Sequence, residues 1–395
     1  MNKRRHRDVT DTIHLGREPD RHSGLVNPPV YHASTVLFPN LEALEASYEK
    51  RFQPGHVHYG RFGTPTLYAL EQAVADLEQG YAAVSFPSGL AAIATTLTAL
   101  VKAGDHILVS DSVYLPTRAF CTEVLGRLGV ETTYYDPLIG ADISKLIRAN
   151  TRLVYLESPG SLTFEVQDVP AIAAAAKQQG LAVMMDNTWG TPLHFKAFAH
   201  GVDISIHAAT KYIVGHADAM LGLAVTTTEY YQTLKNVAIR CGQTAGPDDA
   251  YLALRGLRSL SVRLQQHQSN GLELTRWLKQ RPEVLRIIHP ALPEDPGHRL
   301  WKRDFTGACG LFGVVLEPVS RNALAVMLDH MELFGMGFSW GGFESLMIPV
   351  YPERIRTATT WEPGGQLLRI HAGLEDPADL IADLEAGFDR LNAAD

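Results

Sequence analysis

Two charged side chains stand where the sequence predicts the ends of buried strands. Asp186 follows the apolar run 181–185, and Lys211 comes shortly after the predicted strand 203–207. A carboxylate at such a place is costly to bury unless a cation meets it. A lysine there can be desolvated, which lowers its pKa and favours imine formation with a carbonyl compound. On position alone, a structural ion pair between the two, or exposure of both to solvent, is the favoured interpretation.

The segment 86–92, with the sequence FPSGLAA, joins a predicted strand to an apolar helix. The small residues Ser88 and Gly89 let backbone N–H groups approach an anion, and a helix N-terminus adds positive partial charge for a phosphate. Alone this signal is weak, because Ser-Gly before a helix is often only a cap. Together with Asp186 and Lys211 it matches pyridoxal 5'-phosphate (PLP), which needs a phosphate anchor, an acid for the ring nitrogen and an amine.

Short apolar runs alternate with helical stretches between residues 63 and 256. The predicted strands are 81–86, 106–110, 153–157, 182–186 and 203–207, and the predicted helices are 90–101, 115–126 and 169–178. Strands that are apolar on both faces are typical of a parallel sheet covered by helices. The pattern predicts an α/β fold with right-handed crossovers, and ligands in such folds bind beyond the carboxyl ends of the strands.

The chain is expected to have three parts. Residues 1–62 show little helical periodicity and predict an arm that packs on a neighbouring subunit. Residues 63–256 form the predicted PLP-binding domain. Residues 257–395 predict a smaller α+β domain on the substrate side, with helices at 259–280 and 376–391 and strands at 310–316 and 367–370.

Composition excludes several classes of protein. The 395 residues are 46 % hydrophobic and carry 35 Lys+Arg against 43 Asp+Glu, a net charge of −8. Such a chain has no global positive field for nucleic acid or an anionic membrane. Three widely spaced cysteines, with no apolar run of membrane-spanning length, predict a cytoplasmic protein without a disulfide framework. His56 and His58 lack a third ligand at suitable spacing, so no metal site is predicted.

Five ordered motifs resemble one known family, the cysteine/methionine-metabolism PLP-dependent enzymes, over a span from about residue 10 to the C-terminus. The motifs are 59–66 (YGRFGTPT), 88–89 (SG), 186–189 (DNTW), 210–212 with 215–218 (TKY and GHAD) and 369–376 (RIHAGLED). The resemblance implies the aspartate-aminotransferase-like fold, PLP fold type I, with a mostly parallel sheet in the large domain. It also implies a homotetramer, a dimer of dimers whose subunits share sites.

The resemblance implies specific roles at the cofactor. Lys211 would bind PLP as an imine and later act as the acid–base catalyst. Asp186 would pair with the ring nitrogen, and Tyr114 would stack on the ring. The remaining implied ligands hold the phosphate: the backbone of Gly89 and Leu90, the Thr210 hydroxyl and, from a neighbouring subunit, Tyr59 and Arg61. Ala208 stands where many members carry a serine, so one hydroxyl contact to the phosphate is absent.

The resemblance also implies the substrate side. Arg369 would clamp the substrate α-carboxylate, a geometry that lysine cannot reproduce, and Tyr114, Ser339 and Trp340 would line the pocket. The segment 337–346, GFSWGGFESL, is most similar to members that eliminate at Cβ, because γ-acting members usually have a small aliphatic residue at the position of Trp340. The expected reaction is α,β-elimination of the small-molecule substrate L-cystathionine to homocysteine, pyruvate and ammonia.

Four other functions stay open. A γ-lyase or γ-synthase of the same family would act at Cγ, although the segment 160–163, GSLT, lacks the asparagine that γ-acting members tend to have there. A cysteine desulfhydrase would prefer cystine or cysteine, and an aminotransferase would leave the amino group on the cofactor. A non-catalytic regulatory protein would keep the fold alone, but intact Lys211, Asp186 and Arg369 argue against it.

Overall fold

The computed structural model describes residues 6–394, so 1–5 and 395, including the first five positions of the predicted arm, lie outside the described residues. The strands are β1 Ala82–Phe86, β2 His106–Ser110, β3 Glu131–Tyr135, β4 Thr151–Glu157, β5 Ala182–Asp186, β6 Ile204–His207, β7 Gly222–Thr226, β8 Val284–Ile288, β9 Leu311–Leu316, β10 Leu346–Val350 and β11 Gln366–His371. They form a seven-stranded sheet in the order β1-β7-β6-β5-β4-β2-β3 and a four-stranded sheet in the order β10-β11-β9-β8.

Helices cover the sheets. They are α1 Asp8–His14, α2 Leu41–Lys50, α3 Pro65–Glu78, α4 Gly89–Leu100, α5 Leu115–Ala119, α6 Val169–Gln178, α7 Thr191–His194, α8 Thr228–Arg240, α9 Pro247–Leu278, α10 His298–Asp304, α11 Arg321–Leu328 and α12 Pro377–Ala394. Within residues 6–394, none of these helices is long and apolar enough to cross a membrane.

The larger sheet confirms the predicted α/β fold with a mostly parallel sheet. The pairs β2/β3, β2/β4, β4/β5 and β5/β6 are parallel, while β7 runs antiparallel to both of its neighbours. Both faces of the central strands are buried, because the helices cover them from two sides. The carboxyl ends of β4, β5 and β6 therefore meet at one edge of the sheet, which positions the site described below.

The five predicted strands are present, but two strands of the larger sheet were not predicted. β3 lies at the sheet edge and has the sequence ETTYY, whose polar side chains hide the apolar pattern. β7 has the sequence GLAVT, and its first residue, glycine, is depleted in strands. The predicted helix 115–126 is α-helical only over α5, and a wider π turn follows at Phe120–Leu125.

The smaller sheet is wholly antiparallel, and α11 and α12 pack on it around a separate apolar core. The long helix α9 begins twelve residues before the predicted start, with Pro247 in its first turn. It runs without a break through residues 256 and 257, between which the sequence predicts the boundary of the two domains. Strand β11 carries Arg369, so this second sheet supplies one wall of the site.

Candidate active site

A cavity of about 660 Å³ lies beyond the carboxyl ends of β4 and β5 and is closed on the other side by the second sheet and the loops around it. Nine of the eleven predicted site residues border it. They are Gly89, Leu90, Tyr114, Asp186, Thr210, Lys211, Ser339, Trp340 and Arg369. The structure thus brings together residues that are up to 280 positions apart in the sequence.

Lys211 is the amine of this cavity. Its Nζ lies 2.5 Å from the Ser339 hydroxyl oxygen and 5.2 Å from the centre of the Trp340 ring. Burial and then the charge of Arg369 lower the pKa of Lys211 to about 8, while the charge of Asp186 acts in the opposite direction. The unprotonated amine, which a nucleophile or base requires, is therefore a minor but populated form near neutral pH.

Asp186 ends β5 and borders the cavity. Burial raises the pKa of its carboxyl, and the opposing influences are hydrogen bonds from Thr188 and the charges of His207 and Lys211. The Thr188 N–H donates to Oδ1 at 2.9 Å. An acid held in this way can pair with a cationic ring nitrogen in the cavity.

Helix α4 points its N-terminus at the cavity. The Ser88 hydroxyl accepts the Ala91 N–H at 3.1 Å and caps the helix. The first-turn N–H groups of a helix have no intrahelical acceptors, and here Gly89 and Leu90 border the cavity. A Cβ atom added at Gly89 would lie 2.6 Å from Ala208 Cβ, so glycine is what lets α4 approach the loop before Lys211. The arrangement can hold an anion.

Arg369 stands opposite, on β11. Its Nη2 donates to the Ser339 carbonyl oxygen at 2.9 Å, which ties the arginine to the turn that also contacts Lys211. Burial lowers the pKa of Arg369 to about 10, so the guanidinium stays cationic at neutral pH. Ser339 has a φ of +79°, a left-handed conformation that a non-glycine residue adopts only when its surroundings hold it there.

The turn around Trp340 rests on buried imidazole. The Gly341 N–H donates to His371 Nε2 at 3.2 Å, and Gly341, with a φ of +83°, lies against the backbone of Lys211. Burial and then the charge of His267 lower the pKa of His371 to about 3, so this ring is neutral. His371 was not among the predicted site residues, although it stands two residues after Arg369 on the same face of β11.

Asp111, which was also not among the predicted site residues, anchors one wall of the cavity. Its carboxylate accepts the N–H groups of Thr357, Ala358 and Thr359 at 2.8–3.0 Å and pairs with Arg118 at 2.5 Å. These bonds fix the loop that brings Pro352, Ile355 and Arg356 to the cavity. Asp111 directly follows strand β2, just as Asp186 ends β5, and this repeated pattern was the available signal.

Tyr59 and Arg61 do not border the cavity. Arg61 donates to the Ile239 carbonyl oxygen at 2.5 Å, and Tyr59 is exposed, with its hydroxyl accepting from Ser34 at 3.4 Å. His56 and His58 each bond to the Ser47 hydroxyl at 2.9 Å. Within residues 6–394, no cluster of three His, Cys, Asp or Glu side chains could hold a metal ion.

Comparisons with known proteins identify one family. The family described as Cys/Met metabolism PLP-dependent enzyme matches residues 9–389. The cystathionine beta-lyase MetC of Escherichia coli strain K12 is 46 % identical over 97 % of this chain and 98 % of its own. The cystathionine beta-lyase of Salmonella typhimurium is 45 % identical over the same shares. The crystal structure of metB from Corynebacterium glutamicum superposes with a TM-score of 0.88 at 30 % identity and covers 99 % of both chains.

Proposed function

The chain belongs to the Cys/Met metabolism family of PLP-dependent enzymes, and we propose that it is a carbon–sulfur β-lyase that cleaves L-cystathionine to homocysteine, pyruvate and ammonia. The observation that carries this proposal is the single cavity bordered by Lys211, Asp186 and Arg369. They supply an amine, an acid and a guanidinium around one small molecule. Similarity to two cystathionine beta-lyases over nearly the whole chain supports this choice of reaction.

The described residues fit PLP. The α4 N-terminus at Gly89 and Leu90 offers N–H groups to a phosphate, Asp186 offers a carboxylate to the ring nitrogen, and Lys211 offers an amine to the aldehyde carbon. When bound, the cofactor supplies that carbon and a cationic ring that withdraws electrons from the substrate Cα. The Thr210 hydroxyl, which bonds to the Leu221 backbone at 2.9 and 3.2 Å, borders the same end of the cavity.

Lys211 is the residue that moves the Cα proton. Its Nζ has a pKa of about 8, so the neutral amine that accepts a proton is populated near neutral pH. The Ser339 hydroxyl orients Nζ, and the Trp340 ring covers it and excludes water from that side. The proton held at Nζ is then available to the sulfur that leaves Cβ.

Arg369 orients the substrate. Its planar guanidinium can bind a carboxylate through two parallel hydrogen bonds, and its bond to the Ser339 carbonyl fixes the direction of the group. The Tyr114 ring borders the same space. Holding the α-carboxylate at Arg369 places the rest of the substrate between the cofactor site and the wall formed by Trp340.

Product identification tests the reaction. Incubation of purified protein, loaded with PLP, with L-cystathionine is expected to release pyruvate and a free thiol in equal amounts. Pyruvate is measured with lactate dehydrogenase and the thiol by its reaction with a disulfide reagent. Release of 2-oxobutyrate would indicate a γ-lyase, and a requirement for an activated homoserine would indicate a γ-synthase. Faster turnover of cystine or cysteine would indicate a desulfhydrase. Recovery of substrate epimerised at Cα would indicate a racemase and would also contradict the proposal.

We also propose that the protein is a cytoplasmic homotetramer in which Tyr59 and Arg61 serve the site of a neighbouring subunit. In the single chain both residues lie away from the cavity. Leu37 and Leu41 of the arm are 89 % and 68 % exposed, which is typical of apolar side chains that a second copy covers. The three cysteines are unpaired, which supports a reducing compartment.

Subunit mixing tests the shared site. The variants R61A and K211A are each expected to be inactive, but a mixture that is dissociated and reassembled is expected to recover part of the wild-type activity. Recovery is possible because a hybrid pair contains one site with both intact residues. A mixture that stays inactive, although light scattering shows reassembled oligomers, would place Arg61 and Lys211 in the same subunit's site.

A further inference from the structure

Glu157 ends β4 next to Asp186, and no role has been assigned to it above. Strands β4 and β5 are parallel, and Glu157 lies opposite Asp186 in their register, so both side chains leave the sheet on the same face. Both border the cavity. Glu157 Oε2 also accepts the Tyr114 N–H at 2.7 Å. Glu157 is thus adjacent to the acid proposed for the ring nitrogen and bonded to the backbone of the residue proposed to stack on the ring.

Two carboxyl groups this close in a buried cavity do not both ionise, because like charges repel strongly where water is excluded. The surroundings decide which one keeps its proton. Asp186 accepts hydrogen bonds from Thr188, and the charges of His207 and Lys211 also favour its ionised form. These influences place the negative charge of the pair on Asp186.

Glu157 has far less support for a charge. The Glu157 carboxyl group accepts one hydrogen bond, from the Tyr114 N–H. Within residues 6–394, no lysine, arginine or histidine forms an ion pair with Glu157. The titratable groups that face Glu157 are Asp186 and the phenols of Tyr114 and Tyr155. Burial raises the pKa of both phenols, so neither is a cation that could balance a charge on Glu157. Burial and the charge of Asp186 raise the pKa of Glu157 well above its usual range.

We propose that Glu157 is a neutral carboxylic acid and a positioning residue, whose carbonyl oxygen holds the Tyr114 backbone and whose proton leaves the negative charge of the pair on Asp186. This inference rests on the roles given to Asp186 and Tyr114 in the proposed function. It assigns Glu157 no contact with the reacting atoms. A glutamine, which is neutral and has the same shape, should replace Glu157 in both respects, whereas an alanine should not.

Infrared difference spectroscopy of the protein without cofactor tests the proton directly. At neutral pH the wild-type-minus-E157Q difference spectrum is expected to show the carbonyl band of an un-ionised carboxylic acid. The matched control is E78Q. Glu78 is also wholly buried, but despite that burial the charge and hydrogen bond of His207 hold its pKa below the usual value. The wild-type-minus-E78Q spectrum should therefore lack such a band, and its absence from the wild-type-minus-E157Q spectrum would overturn the proposal.

Titration of the unloaded proteins with PLP, followed by tryptophan fluorescence, tests the positioning role. E157Q is expected to bind PLP within about twofold of the wild type, and E157A about tenfold more weakly, since E157A loses the acceptor that holds the Tyr114 N–H. Equal losses in E157Q and E157A would mean that the charge or the acid itself is required, which contradicts the proposal. A wild type that binds no PLP would instead contradict the proposed function. The infrared measurement, made without cofactor, would still report whether Glu157 carries a proton.

Discussion

Replacing Lys211 by alanine is expected to lower kcat for cystathionine cleavage at least about a thousandfold, within the roughly 10²–10⁴-fold that a positioned acid–base group contributes. The loss should be this large because the proposed function gives one amine two tasks, covalent capture of the cofactor and transfer of the Cα proton. The measurement is pyruvate release under saturating substrate. In addition, borohydride reduction should no longer attach the cofactor to the protein, because the amine that bonds to it is gone.

The fold of K211A should be intact. The Lys211 side chain contacts the Ser339 hydroxyl and the Trp340 ring, and neither contact holds a strand or helix together. Far-UV circular dichroism should therefore match the wild type. Lys145, an exposed lysine in an ion pair with Asp142, gives the control variant K145A, which should keep full activity. Substantial elimination by K211A would mean that a different base removes the proton.

Sequence patterns predicted the strands of the larger sheet that end at the cavity, because the apolar composition of each strand is visible in the local sequence. The run 181–185 is continuously apolar, and Asp186 directly after it is conspicuous because a carboxylate seldom follows such a run. The start of α9 was placed too late, because a helix that begins at Pro247 with polar residues has little apolar periodicity there. Tertiary packing on α1 and α3, which no local pattern reports, stabilises that part of the helix.

The parts of the site that sequence reasoning missed depend on contacts across long separations. Asp111 is about 246 residues from the loop that it anchors, and Glu157 meets Asp186 only because β4 and β5 are neighbours in the sheet. Neither side chain lies in one of the five motifs that this chain shares with the family. Strand order, register and long-range packing determine which of these side chains come into contact, and none of them can be read from a local run of residues.

Replacing Asp186 by asparagine is expected to lower kcat/KM at least about a hundredfold, on the order of the 2–5 kcal/mol lost when one partner of a buried charge pair is removed. Asparagine keeps the size of the side chain but removes the negative charge that Asp186 presents to the cavity. A ring nitrogen facing an amide then holds a proton less firmly, and a neutral ring withdraws electrons from the substrate less strongly. Steady-state kinetics with cystathionine gives the value.

The control for D186N must lose a buried aspartate without touching the cavity. Asp203 meets this requirement: it is 3 % exposed, accepts the Val183 N–H at 2.9 Å, pairs with Lys177 and lies at the opposite end of the sheet from the cavity. D203N should reduce thermal stability but leave kcat/KM close to the wild-type value. If D186N also retained that value while E157Q lost activity, the charge that serves the ring nitrogen would reside on Glu157 and the assignment of the two acids would be reversed.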